Sequence, residues 1–332
     1  MGRSALAGVL SMSAPTAIQA HAENYLSERR QLGFCSRSTG YAVRSFARYV
    51  DDLGLQKPLT VEVMADWARR DRGNSDKPAT WARRLKKLRS FARYMRQFEP
   101  STEIPDDTTF GRTGQRLAPH IYSEQEVIDL LAAARRLGPC LRGATYEALF
   151  GLIASAGLRV SEAVHLRDAD VDLKSGMLIV RRTKFAKSRQ VPLHPTAMDA
   201  LKRYHSLRSF HREINEETPF FVNTGSGRCG CGLGLRQVRK VFIGLRDQLG
   251  WSNRGEHDGP RIHDLRHTFV VRRVTLWHEH GQDVDQSMLA LATYVGHANV
   301  TNTYWYLTGV PELMAVAAAK FESSSPLEMH HG

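Results

Sequence analysis

A histidine and an arginine three residues apart form a pair in this sequence that suits chemistry on an anion. His263 and Arg266 stand in the stretch 260–269. Two residues three apart share a face of a helix, so both side chains can reach one anion. Arginine presents a fixed fork of donors that fits phosphate oxygens, and histidine can donate or transfer a proton near neutral pH. The pair predicts a phosphate site, although a single His-x-x-Arg is more often an ordinary helix face.

Other segments carry residues that fit the same site. Arg159 stands where one helix is predicted to end and another to begin, a position that suits contact with an anion. Lys184 lies in a basic turn between two predicted strands and supplies a mobile cation. His297 follows a glycine, and Tyr306 lies nine residues beyond it. Each of these residues has an ordinary structural explanation alone, so the prediction rests on the whole set.

The set, in this order, resembles the signature of the tyrosine recombinases, also called the phage integrase family: Arg159, Lys184, His263, Arg266, His297 and Tyr306. Flanking residues match as well, namely Gly-Leu-Arg-Val-Ser-Glu, Val-Pro-Leu, His-Asp-Leu-Arg-His-Thr-Phe and Gly-His. The resemblance covers about 125–325 closely and about 16–100 more loosely. Where many relatives carry Leu-Gly-His and a threonine pair before the tyrosine, this chain has Val-Gly-His and Thr-Asn-Thr-Tyr-Trp-Tyr, so Tyr304 must be excluded as the nucleophile.

The resemblance implies that DNA is cut and rejoined without a metal, a cofactor or ATP. Tyr306 would attack the scissile phosphate to give a 3′-phosphotyrosyl bond, and the two signature arginines would hold the non-bridging oxygens. Lys184 would protonate the departing 5′-oxygen. His263 would assist proton transfer at the tyrosine, and His297 would donate to a phosphate oxygen.

Periodicity and breaks in it predict a mainly α-helical chain with two domains. Residues 16–100 carry four amphipathic helices, and the resemblance identifies them as a DNA-clamping (SAM-like) domain. A linker rich in proline and glycine follows at 101–120. Residues 121–325 are predicted to be an α-helical catalytic domain with a small antiparallel β-sheet. The termini, 1–15 and 326–332, are expected to be disordered tails.

Two local patterns set expectations for these helices. Ser123 and Glu126 resemble a capping box that opens a helix. In the second helix of the first domain, the apolar positions predicted to face the core include Tyr41, Val43 and Phe46.

The fourth helix carries a basic face opposite its apolar stripe: Arg83, Arg84, Lys86, Lys87, Arg89, Arg93 and Arg96. Few acidic residues accompany them, so these cations favour a DNA phosphate backbone over a merely solvated face. Arg37 and Arg44 of the preceding helix are predicted to extend the same surface.

Composition agrees with a nucleic-acid partner. The net charge is +12, and residues 1–100 hold 18 Lys or Arg against 9 Asp or Glu. The four cysteines are scattered without zinc-ligand spacing, which argues against a metal site and fits a reducing cytoplasm. No apolar run is long enough to span a membrane, and the first twenty residues do not read as a signal peptide.

The sequence therefore predicts a site-specific recombinase or integrase acting on double-stranded DNA sites. The resemblance implies a homo-tetramer that exchanges a C-terminal helix at 310–321 between subunits, alone or with an accessory protein or a partner recombinase. The alternative is that this helix folds back on its own domain. Two alternatives stay open, a DNA-relaxing enzyme of the type IB topoisomerase kind and a non-catalytic DNA-binding regulator. The presence of Tyr306 and Lys184 argues against the regulator, and strand exchange between two duplexes would exclude simple relaxation.

Overall fold

The computed structural model describes residues 17–34, 37–55, 58–70, 76–111, 114, 116–181, 188–211, 215–225, 230–297, 299–310 and 313–314. The chain divides into two compact units, Met1–Gln115 and Arg116–Gly332. No helix among these residues is long and apolar enough to cross a membrane.

The first unit is helical: α1 (Ala17–Gln31), α2 (Arg37–Asp52), α3 (Val61–Arg70) and α4 (Pro78–Met95). Proline suits the first turn of α4 because its missing N–H would have no partner there. Leu85, Leu88 and Met95 recur at helical spacing and are buried in one core with Phe46 and Trp67.

One core prediction for α2 is wrong. Tyr41 is 42% exposed, whereas Val43 and Phe46 are fully buried. The buried face of α2 also contains Gly40 and Ala47. Tyr41 follows Gly40 directly, and one residue turns a helix by about 100°, so its side chain points away from that face.

The second unit combines helices with a small sheet. The helices are α5 (Glu124–Arg135), α6 (Cys140–Ala156), α7 (Val160–Val164), α8 (Pro195–His211), α9 (Leu235–Leu249), α10 (Ile262–Glu279), α11 (Val284–Val295) and α12 (Thr301–Gly309). The strands are β1 (Val171–Asp172), β2 (Met177–Val180) and β3 (Arg189–Pro192), antiparallel in the order β1-β2-β3. The predicted fold class, mainly helical with a small antiparallel sheet, is confirmed.

Two local features, the capping box that begins α5 and the glycine that ends α6, set where these helices begin and end. The capping box of α5 is present, with the Glu126 backbone N–H donating to Ser123 Oγ and Glu126 accepting from the Ser123 N–H. Helix α6 ends at Gly157, whose φ of +60° is the left-handed conformation that favours glycine. A Cβ at Gly157 would also lie 2.5 Å from the ring of Phe269. This glycine lets the chain turn sharply toward Arg159 while α10 packs closely against it.

The predicted exchange helix at 310–321 lies mostly outside the described residues. Leu313 is 1% exposed and belongs to the same apolar cluster as Tyr306, whereas Met314 is 55% exposed. Val310 and Leu313 therefore pack on their own unit.

Candidate active site

Arg266 is held in the interior of the second unit by two backbone carbonyls. It stands in the first half of α10 and is only 1% exposed. Its Nη1 donates to the Gly157 carbonyl at 2.7 Å, and its Nη2 donates to the Val295 carbonyl at 2.6 Å. These carbonyls lie at the ends of α6 and α11, where helices leave carbonyl groups unpaired. The contacts fix the guanidinium, and among the described residues no further partner takes its other N–H donors, which leaves them for a ligand.

Arg159 also contacts the end of α11. It precedes α7, and its Nη2 donates to the Gly296 carbonyl at 2.8 Å. Its Nη1 donates to Glu162 Oε1 at 2.7 Å. Arg159 and Arg266 are therefore tied to neighbouring carbonyls at the end of α11, and the structure brings these two predicted residues together.

Glu162 is the carboxylate around which this cluster is built. Arg189 of β3 donates to both of its oxygens, at 3.1 and 2.9 Å, and to the Tyr294 carbonyl at 2.8 Å. Burial alone would raise the pKa of Glu162, but the hydrogen bonds and charge of Arg189 and the hydrogen bonds of Arg159 lower it to about 2. The carboxylate is therefore ionised at neutral pH, and it fixes both arginines by charge-assisted hydrogen bonds.

The charges in this cluster do not balance. Within the described part of the chain, Glu162 is the one carboxylate hydrogen-bonded to Arg159 and Arg189, and Arg266 bonds only to carbonyls. Burial, followed by the charge of Arg159, lowers the pKa of Arg266 to about 9. A buried excess of positive charge is costly without a counter-charge, so the site is built to receive an anion.

Tyr306 lies beside this cluster and is completely buried. Its Oη is 2.6 Å from Nδ1 of His267, which is 5% exposed. Burial raises the pKa of Tyr306, while the positive charges of Arg266, Arg116 and Arg159 act in the opposite direction. The phenol is thus protonated at neutral pH but placed where the positive charges of Arg266 and Arg159 would stabilise its anion.

The two predicted histidines lie next to the tyrosine but do not share its hydroxyl. His263 packs edge-on against His267, with ring centroids 4.8 Å apart. His297 stacks nearly parallel to Tyr306 at 6.4 Å, and its Nδ1 is 2.7 Å from Thr303 Oγ1. Burial, then the charge of Arg266, lowers the pKa of His263 to about 4 and that of His297 to about 3. Both rings are therefore neutral near pH 7 in the free protein.

Five of the six predicted catalytic residues thus lie in one region: Arg159, His263, Arg266, His297 and Tyr306. Lys184 lies outside the described residues. Sequence analysis assigned no role to His267 or Arg189. His267 had a signal, because it lies four residues after His263 on the same helical face. The pairing of Arg189 with Glu162 spans 27 positions and has no local signal.

The first unit contains a basic groove of about 740 Å³ between α1, α2 and α4. Its cationic and polar lining consists of Arg29, Thr39, Thr80, Arg83, Arg84, Lys86, Lys87 and Ser90. Cations with small hydroxyl donors between them suit contact with phosphate oxygens. Three of the six residues predicted to bind DNA, Arg83, Arg84 and Lys87, line this groove. Arg37 and Arg93 are exposed but do not line it.

Several cations of the predicted surface are also engaged within the unit, including Arg84 of the groove, which donates to the Ala68 carbonyl at 2.8 Å. Arg44 donates to both oxygens of Glu23, at 2.5 and 3.1 Å. Arg89 bonds to the Pro105 carbonyl and pairs with Asp107 at 2.9 Å. Arg96 donates to the Thr102 carbonyl. For Arg44, Arg84, Arg89 and Arg96 the structure gives a role within the fold, and Arg83 and Lys87 of the groove are the better candidates for phosphate contact.

Replacing both Arg83 and Lys87 with alanine is expected to weaken binding to target and random DNA equally. Each lost phosphate contact should lower the slope of log K against log salt by about 0.9. Arg89→Ala is the matched control on the same helix, because Arg89 is paired with Asp107. Its salt slope should equal that of the wild type. A loss confined to the specific site, with unchanged slope, would show instead that the groove reads bases.

Comparison with known proteins identifies the family. The model of the phage integrase family matches residues 121–310. A protein of Sinorhizobium fredii named as an integrase/recombinase, y4rB, is 36% identical over 90% of this chain and 95% of its own. The tyrosine recombinase XerC of Chromobacterium violaceum is 31% identical over 68% of each chain.

The solved structures show the same fold at lower identity. The site-specific recombinase XerH, bound to a palindromic difH substrate in a post-cleavage complex, superimposes with a TM-score of 0.62 at 18% identity, over 92% of this chain and 86% of its own. With its family signature, its helical fold and its clustered arginines, this chain belongs to the phage integrase family of tyrosine-type site-specific recombinases.

Proposed function

We propose that this protein is a site-specific DNA recombinase that cleaves and rejoins DNA through a 3′-phosphotyrosyl link at Tyr306, without metal or ATP. The observation that carries the proposal is the charge excess of three arginines around Glu162, with the Tyr306 phenol beside them. A phosphodiester becomes more negative as its phosphorus turns pentavalent. Donors that are fixed beforehand stabilise that state because they need no reorganisation.

The chemical step follows from these positions. The Tyr306 oxygen forms a bond to phosphorus, the bond from phosphorus to the 5′-oxygen breaks, and the DNA remains attached through its 3′-oxygen. Arg159 and Arg266 hold the two non-bridging oxygens. The phenol proton passes to a neighbouring base. His263 is the base predicted from the sequence, whereas His267 is the histidine that contacts the Tyr306 hydroxyl directly. The phosphotyrosyl bond keeps the energy of the broken bond, so a 5′-hydroxyl can reverse the step on the same or another strand.

Lys184 is proposed as the acid that protonates the departing 5′-oxygen. Its position between β2 and β3 supports this, because Arg189 at the start of β3 is anchored to Glu162 in the arginine cluster. Lys184→Ala should slow cleavage of an ordinary phosphodiester much more than cleavage of a 5′-bridging phosphorothiolate, whose sulfur leaves without a proton. Equal slowing on both substrates would remove the role from Lys184 and make Lys187 the candidate.

The recombinase is further proposed to act as a homo-tetramer on paired DNA sites through its C-terminal segment. Function is tested by strand exchange between two duplexes, because an enzyme that only relaxes supercoils would nick and reseal without exchange. Ending the chain after Met314 keeps the buried Leu313 and should still allow binding of one half-site. It should abolish cooperative occupancy of two half-sites and strand exchange. Full exchange by the truncated chain would contradict assembly through this segment.

A further inference from the structure

The nucleophile proposed above is not accessible in the DNA-free protein. Tyr306 has no exposed surface. His267 contacts its hydroxyl, His297 stacks beside its ring, and Trp305 packs edge-on at 5.3 Å. A phosphorus atom cannot approach a hydroxyl that is covered on all sides. At least one contact of Tyr306 must therefore open before DNA is cut.

Arg116 is the contact best placed to open. Its side chain is exposed, and its guanidinium lies 3.8 Å from the Trp305 ring centroid and 5.6 Å from that of Tyr306. It also forms a side-chain hydrogen bond with Tyr306. His267, by contrast, is buried within α10 and is fixed by the packing of that helix. Arg116 stands in a segment that has neither helix nor strand geometry.

The contacts of Arg116 can be replaced by DNA. The rings that Arg116 covers are half-buried Trp305 and buried Tyr306, and a phosphate competes with them because a guanidinium and a phosphate form paired, charge-assisted hydrogen bonds. Arg116 is also the first residue of the second compact unit. A DNA phosphate near this point would compete with Trp305 and Tyr306 for the guanidinium.

We propose that Arg116 keeps Tyr306 covered in the DNA-free protein and uncovers it when a DNA phosphate takes up its guanidinium. The inference rests on the proposed role of Tyr306. Arg116 would then be a positioning residue that prevents premature attack. A different role, in which Arg116 stays in place and stabilises the developing phenolate, makes the opposite prediction for cleavage.

Exposure of Tyr306 is measured on the full chain without DNA by hydroxyl-radical footprinting with mass spectrometry, which reports ring accessibility regardless of ionisation. In Arg116→Ala the modification rate of Tyr306 should rise by about three- to tenfold, the effect of losing a cation–π contact and a hydrogen bond. Tyr304, 36% exposed, is the internal reference and should not change. Arg116→Lys should give a smaller rise, because lysine keeps the charge but not the planar stacking.

Arg273→Ala is the matched control. Arg273 is also exposed and lies 5.6 Å from the ring of Phe269, in the apolar cluster that contains Tyr306. Its replacement should leave the modification of Tyr306 at the wild-type rate. An equal rise in both variants would show general loosening of the cluster and overturn the proposal, as would no rise in Arg116→Ala.

The rate of DNA cleavage distinguishes an Arg116 that only covers Tyr306 from an Arg116 that takes part directly in the reaction. At saturating protein, Arg116→Ala should form the covalent adduct on a nicked half-site at least as fast as the wild type. A decrease of about tenfold or more would assign Arg116 to the phenolate or the phosphate and overturn the cover. The wild type could form no adduct at Tyr306 while the modification rate of Tyr306 still rises in Arg116→Ala. That result would support the covering role of Arg116 and refute Tyr306 as the nucleophile.

Discussion

Tyr306→Phe is expected to form no covalent protein–DNA adduct on a nicked suicide substrate, while binding to the DNA site is unchanged. The substitution removes only the hydroxyl, so the ring still fills its place in the cluster with Val270 and Val310. The lost bond leaves Nδ1 of His267 without its partner, which should lower the stability by about 1–3 kcal/mol. Thermal unfolding of the variant separates that effect from the loss of chemistry.

Tyr304→Phe is the control for this experiment. Tyr304 precedes Tyr306 by two residues on α12, about 200° around the helix, and is 36% exposed. It should form adducts at the wild-type rate. Normal adducts from Tyr306→Phe would refute the assignment, and their loss in Tyr304→Phe alone would move the nucleophile to the exposed position.

Local patterns in the sequence were sufficient for most of the fold. The apolar stripe of α4, the capping box at Ser123 and the glycine that ends α6 all depend on residues within a few positions of one another. Tyr41 shows where such reasoning fails, because apolar character alone does not say which residues at the edge of a helical stripe are covered. The packing of α2 against the other helices decides that, and this information is not local.

The charged residues were harder to sort by sequence. Arg83 and Arg89 stand on one helix with the same composition around them, yet Arg89 has a partner in Asp107, 18 residues away, and Arg83 lines an open groove. Long-range pairing also explains why Arg189 was overlooked. His267 was passed over because the signature places the histidine at 263, whereas the hydrogen bond to Tyr306 depends on how α12 packs against α10.

Arg266→Met is expected to slow DNA cleavage by about 10²–10³-fold, the usual effect of removing one fixed donor from a site where negative charge develops. Methionine fills a similar volume and removes the guanidinium. Two effects on stability oppose each other, because the carbonyls of Gly157 and Val295 lose a donor while the repulsion between Arg266 and Arg159 disappears. The melting temperature should therefore change little compared with the activity.

Arg208→Met is the matched control, because Arg208 is an equally buried arginine of the same unit with a different purpose. It pairs with Asp168 and donates to the Pro219 and Phe220 carbonyls, so its charge is already compensated. Removing it leaves Asp168 without its main counter-charge, which should lower stability by about 3–5 kcal/mol. Cleavage per folded molecule should stay at the wild-type rate. A loss of cleavage no larger in Arg266→Met than in Arg208→Met would mean that Arg266 supports the fold and does not hold the phosphate.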